Sequence, residues 1–223
     1  RQLTSGLTSD NCPDWSPDGK LIAFLSARGE KPQIYVMPVD GGEARALTAH
    51  ATAPSDPQWS PDGMTVYFLA ADPKPDDLVA REKVKDDVYA FDENFQHRHL
   101  WKIDVATQAE ARITAGAFSV TAYELSEDGT RVAHHRAPSP NFGDGGQSEV
   151  WVMDVTGSGA VALTKNDVAE SRAALSPDGA RLLFLAQANE RFETYYNANL
   201  FVMPASGGAP QDLTRDFGNE VTD

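Results

Sequence analysis

The chain has 223 residues, 41% of them hydrophobic, a formal net charge of −14 and a single cysteine. This length and apolar content suffice to bury a large core, no apolar run is long enough to span a membrane, and the acidic balance excludes the basic stripe that nucleic-acid binding requires. Cys12 cannot form an internal disulfide and offers no metal-ligand spacing, so it reads as a small residue near the start of a repeat.

In chain order, RQLT (1–4) comes first, with no turn signal before it. PDWSPDG (13–19), LIAFLS (21–26), IYVMPV (34–39) and RALT (45–48) follow, and the same succession returns three times. The second round is PQWSPDG (57–63), TVYFLA (65–70), LWKIDV (100–105) and RIT (112–114). The third is YELSEDG (123–129), RVAHHR (131–136), VWVMDV (150–155) and VALT (161–164). The fourth is AALSPDG (173–179), RLLFLA (181–186), LFVMPA (200–205) and QDLT (211–214). The apolar runs have strand length and β-type composition. Asp-Gly between the first two columns supplies the positive-φ positions of a tight hairpin, and DGGE (40–43) and SGGA (206–209) close the last two.

Four antiparallel strands per repeat, with turn glycines at fixed offsets, define an all-β fold of β-propeller blades. Ser16, Ser60, Ser126 and Ser176 recur 44, 66 and 50 residues apart, close to blade length except for the long second unit. The expected domain is one propeller over 1–223, with blades at about 5–48, 49–114, 115–164 and 165–214. RQLT would then be the outer strand of a preceding blade, which makes the four blades an open part of a larger, six- to eight-bladed ring. An open arc of this kind is expected to expose apolar blade faces and to self-associate.

The connections after the second strand carry the extra chain, at 71–98, 137–148 and 187–198, and in an up-and-down blade that connection has a fixed side. Loops of this length inside a compact repeat tend to be functional. The first, beginning DPKPDD, fits a short helix followed by a hairpin. The third, QANERFETYYNAN, mixes aromatics with paired charges, which suits a contact surface or local packing. The candidate substrate-binding residues are Glu190, Arg191, Glu193 and Tyr195 in that loop, with Arg98 behind them.

SPDG followed by IAFLS and IYVMPVDGGEARALT resembles the propeller repeat shared by TolB-like proteins and by serine peptidases of the prolyl oligopeptidase family, which include acylaminoacyl and dipeptidyl peptidases. The passage DDVYAFDENFQHRHLWKIDV, with its Arg98–Trp101 run, is similar to the long connection of acylaminoacyl-peptidase-like members. The resemblance implies a propeller that caps a C-terminal α/β-hydrolase domain of the parent chain and gates peptide substrates. No catalytic residue carries over: there is no G-x-S-x-G, and Ser148 in GQSEV has only the first glycine. Neither long insertion holds the adjacent Glu pair of dipeptidyl peptidases.

Nothing in the sequence calls for a cofactor or a metal. His97 and His99 would point to one side of a strand without a third ligand at a defined spacing, and His134 and His135 would face opposite ways. The function expected is therefore a non-catalytic, peptide-binding propeller of a serine-type peptidase, in the cytoplasm or periplasm. The alternative is a TolB-like protein-interaction propeller with no enzymatic role.

Overall fold

The computed structural model describes residues 4, 8–86, 95–189, 191–215, 217 and 221. They form four four-stranded antiparallel sheets, each in simple sequential order. Blade one comprises β1 (Asp10–Trp15), β2 (Leu21–Ser26), β3 (Gln33–Pro38) and β4 (Arg45–Ala46). Blade two comprises β5 (Pro54–Trp59), β6 (Thr65–Ala71), β7 (Arg98–Asp104) and β8 (Glu110–Arg112). Blade three holds β9 (Ser119–Leu125), β10 (Arg131–Ala137), β11 (Glu149–Asp154) and β12 (Val161–Ala162). Blade four holds β13 (Glu170–Leu175), β14 (Arg181–Ala188), β15 (Thr194–Pro204) and β16 (Gln211–Asp212). The chain divides into two compact units, residues 1–59 with 63–112 and residues 60–62 with 113–223. Most of RQLT (1–4), expected as a surplus outer strand, lies outside the described residues.

The SPDG turns are built by their own side chains. In each, the serine hydroxyl donates to the aspartate two residues on, at 2.5–2.8 Å. The same Ser16, Ser126 and Ser176 hydroxyls accept the N–H of Leu21, Arg131 and Arg181, the first residues of β2, β10 and β14. The serine thus fastens the start of the second strand, and its hydroxyl holds Asp18 down to about 2. Only the glycine of each Asp-Gly pair takes a positive φ, 66–70°; the aspartate stays right-handed because its carboxylate must reach back to the serine.

The Leu-Thr signature closes each blade. In blades one, three and four the leucine N–H donates to a carbonyl near the start of the third strand (Ile34, Val150, Leu200). The threonine hydroxyl then accepts the N–H of that same residue, at 2.7–3.1 Å. The side chain therefore extends the ladder one step beyond the short outer strand. The residue before that ladder position, Gln33, Glu149 or Asn199, reaches the connection that follows: Gln33 Oε1 accepts from Thr48 and from the His50 N–H, and Glu149 Oε1 from the Asn166 N–H. Asn199 Oδ1 accepts from Thr214.

The first strands of blades one, two and four share a register shift at a left-handed non-glycine residue, Cys12 (φ 48°), Asp56 (φ 50°) and Arg172 (φ 54°), each four residues before the turn serine. Blade three departs from this: its shift lies opposite His135/Arg136 and involves no left-handed residue.

In the first unit the core joins Ala23, Ile34 and Val36 to Val66, Phe68 and Ile103. In the second, Val150 and Val152 meet Leu182, Phe184, Phe201 and Met203. The connection after β6 carries α1 (Asp76–Lys83), with Asp76 and Asp77 in its first turn and Arg81 and Lys83 in its last, the order that suits the helix dipole. The hairpin expected after it falls largely on 87–94, outside the described residues. The connection after β10 forms a 3-10 helix at Phe142–Gln147.

The insertion expected at 187–198 is not a loop of that length. β14 and β15 run on to Ala188 and from Thr194, with an irregular register between Ala186 and Ala188, so only 189–193 turns. Thr194, Tyr195 and Tyr196 have strand-favouring side chains, and Asn189 closes the turn, so the pairing continues. Among the described residues, no helix is long and apolar enough to cross a membrane.

Candidate functional site

Arg191, Glu193 and Tyr195 share the β14–β15 hairpin. Asn189 organises its tip: its Oδ1 accepts from the N–H groups of Arg191 and Glu193, and its Nδ2 donates to Glu193 Oε2 at 2.9 Å. Arg191 and Tyr195 are exposed, whereas Phe192, held left-handed at φ 60°, turns inward against Phe201 and Phe184, at 5.0 and 6.1 Å. The aromatic in the middle of this tip is thus a core plug. Glu190 lies outside the described residues. Arg98 opens β7, half-buried and paired in register with Ala71.

In the first unit, polar groups at the strand ends meet carboxylates. His50 Nδ1 is 2.7 Å from Glu110 Oε2, with the imidazole edge-on to Trp101 and Phe68. Arg112 pairs with Asp72 at 3.0 Å and lies over the Trp101 ring, and His99 Nε2 is 3.6 Å from the same carboxylate. His97 and His99 lie edge to face, 6.4 Å apart, as their spacing predicted.

In the second unit, His134 and His135 do face opposite ways. His135 is on the β13 side, where its Nε2 accepts the Ala173 N–H at 3.2 Å; burial pushes it down to about 4. His134, 0% exposed, is pushed by burial and by the Arg136 cation down to about 3. Its Nε2 accepts the Arg136 Nε–H at 2.9 Å, so the neutral ring carries its proton on Nδ1.

The Arg136 guanidinium carbon lies over the rings of Phe118 and Trp151, 4.1 and 4.0 Å from their centroids. Gly116, at φ +133°, lets the Phe118 ring take its place, because a Cβ there would meet the ring at 3.0 Å. Glu149, directly opposite Arg136 in the ladder, has its Oε1 engaged by Asn166. Asn166 also donates to Glu170, whose other oxygen accepts from Thr164 at 2.6 Å. Burial, with Glu149 nearby, raises Glu170 to about 7.

None of this network was legible as a site in the sequence, where RVAHHR stands only as a strand. The available signal was a charged residue ending a column whose other members end in small residues, Ser26, Ala70 and Ala186, two residues from a histidine on the same face.

Residues 1–91 match the family model of the TolB beta propeller domain. A stretch of 45 residues is 49% identical to the uncharacterized peptidase YuxL of Bacillus subtilis (strain 168), covering 20% of this chain and 7% of that protein. The putative TolB of Agrobacterium tumefaciens superposes with a TM-score of 0.64 at 20% identity, over 95% of this chain and 68% of that one. The acylaminoacyl peptidase of Pyrococcus horikoshii gives 0.62 at 16% identity, over 96% of this chain and 33% of that one. The fold is that of a TolB-like β-propeller domain, a class whose structures include TolB and the propellers of acylaminoacyl peptidases.

Proposed function

We propose that this chain is the non-catalytic propeller of a serine-type peptidase, acylaminoacyl- or oligopeptidase-like, which binds and gates peptide substrates for an α/β-hydrolase domain in the parent protein. The observation that carries the reading is the 49% identity to a peptidase over 45 residues, together with the Arg98–Trp101 run. Arg98, Glu190, Arg191, Glu193 and Tyr195 are the proposed substrate contacts, on the strength of their places at the ends of second-to-third-strand connections. The coding sequence beyond Asp223 tests the reading: a G-x-S-x-G nucleophile segment supports it, and its absence favours a TolB-like interaction module, the reading that the family match at 1–91 supports. The isolated chain is expected to turn over no acyl-amino-acid substrate and to resist labelling by a serine-directed phosphonate.

Self-association belongs to the same proposal. Trp59 is buried, with its N–H groups on Asp14 of the neighbouring blade, whereas its counterpart Trp15 is 55% exposed. Leu183 in blade four is 38% exposed beside Leu182 and Phe184, which are fully buried. Such surfaces favour pairing of blade faces between copies. Sedimentation over a range of concentrations should show association, and a single monomeric species throughout would reject it.

A further inference from the structure

Arg136 is a half-buried cation whose surroundings fix its position but, among the described residues, leave its charge without a counter-ion. The Phe118 and Trp151 rings both lie about 4 Å from the guanidinium carbon, which sits over each ring, and the Nε–H is committed to a neutral imidazole. Among the described residues, the two terminal amino groups have no hydrogen-bond partner and no ion pair. Burial lowers the arginine's pKa, with no acid acting against it. Withdrawing a cation from water is costly unless an anion meets it. Here the nearest acid by register, Glu149, is turned to the Asn166 N–H instead.

The two rings also dictate the shape of what could pair with Arg136. With two aromatic rings packed against the guanidinium carbon and Nε occupied, the edge left to a ligand is that of the two terminal nitrogens. A planar, singly charged carboxylate meets that edge with two parallel hydrogen bonds. A phosphate dianion is the poorer match, because a lone cation must hold it within a chain of net charge −14. The supports are rigid: His134 is fully buried, Trp151 lies on a central strand, and the Gly116 turn places Phe118.

We propose that Arg136, walled by Phe118 and Trp151 and braced by His134, is the anchor of a carboxylate-binding site at the end of blade three. The site takes a peptide carboxylate, from a free C-terminus or from an acidic side chain. It rests on the geometry of the blade and stands whether or not a hydrolase domain follows, so loss of the peptidase reading leaves it intact.

The test is a nuclear magnetic resonance titration of the whole chain, following the Arg136 Nε–H and Trp151 indole signals. The probes are acetyl-dialanine, its C-terminal amide, and the amide of acetyl-aspartyl-alanine. The expected result is saturable shifts with one or both carboxylate peptides and none with the dialanine amide; the aspartyl amide separates side chain from C-terminus. R136K keeps the charge but loses the planar fork, and should weaken binding about ten- to a hundredfold. F118L, which removes one wall, should weaken it less while the thermal melt confirms folding. Absence of shifts up to the solubility limit, equal binding of the dialanine amide, or unchanged affinity in folded R136K would each overturn the proposal.

Discussion

In blades one and two, the polar groups at the strand ends gather at carboxylates: His50 hydrogen-bonds Glu110, and Arg112 pairs with Asp72, which also lies 3.6 Å from His99. In blades three and four, His134 and His135 stay neutral, Glu170 takes its proton near neutrality, and Arg136 rests on aromatic faces. The same repeat has been filled in two ways. Carboxylate pairing serves much of the first unit, where the buried Trp101 indole N–H still lacks a hydrogen bond among the described residues, whereas the second relies more on its apolar core to offset polar groups that folding has desolvated. Groups held at unusual protonation states are also the hallmark of sites with a task beyond stability.

The sharpest way to break this comparison is to weaken that core. Phe184, fully buried and stacked on Phe201, should cost about 3–5 kcal/mol when cut to alanine, read by denaturant unfolding. A loss below about 1 kcal/mol would show that the core does not carry the second unit.

Acid should separate the units next. Because His134 and His135 are depressed in the fold to about 3 and about 4, the unfolded chain binds more protons below the ordinary histidine value of 6.5. Stability is then fully present above pH 6.5 and is lost as pH falls toward 4, by on the order of 3 kcal/mol or more. Hydrogen exchange should open amides of β10 and β13 before those of β2 and β6. Equal protection loss in both units would contradict the contrast.

Glu170 has the opposite sign. Its folded value of about 7 lies above 4.5, so the fold binds the extra proton and stability declines as pH rises from 4.5 through 7. E170Q, which mimics the protonated acid toward Thr164 and Asn166, should gain about 1–3 kcal/mol at pH 8 and little at pH 4.5. A melt at both pH values checks it. The smallest effect is expected at the paired site: E110Q keeps a hydrogen-bonding group for His50 and should cost about 1 kcal/mol, measured by thermal melts near neutral pH.

The strand columns were legible because turn chemistry and apolar runs repeat in type as well as position: LIAFLS is β2, and Asp-Gly marks each first hairpin. The blade-four hairpin differs from the loop expected at 187–198 because cross-strand pairing of Ala188 with Thr194, rather than the polar composition of the segment, sets where the strands end. The pin formed by Gln33, Glu149 and Asn199 escaped notice because only its geometry repeats, not its residue type. The Arg136 arrangement depends on strand register, which places Trp151 opposite His134, and on the turn at Gly116. Neither is local in sequence.

The threonine at each blade's close has a consequence for company. In blades one, three and four its hydroxyl takes over the last rung, and the outer strands there need only two residues. A strand that short offers almost no free backbone edge, so neighbouring chains find little to template on and amyloid-type growth is discouraged. A binding partner meets the same obstacle at that edge, whereas the opposite edge of each sheet is a first strand of six or seven residues.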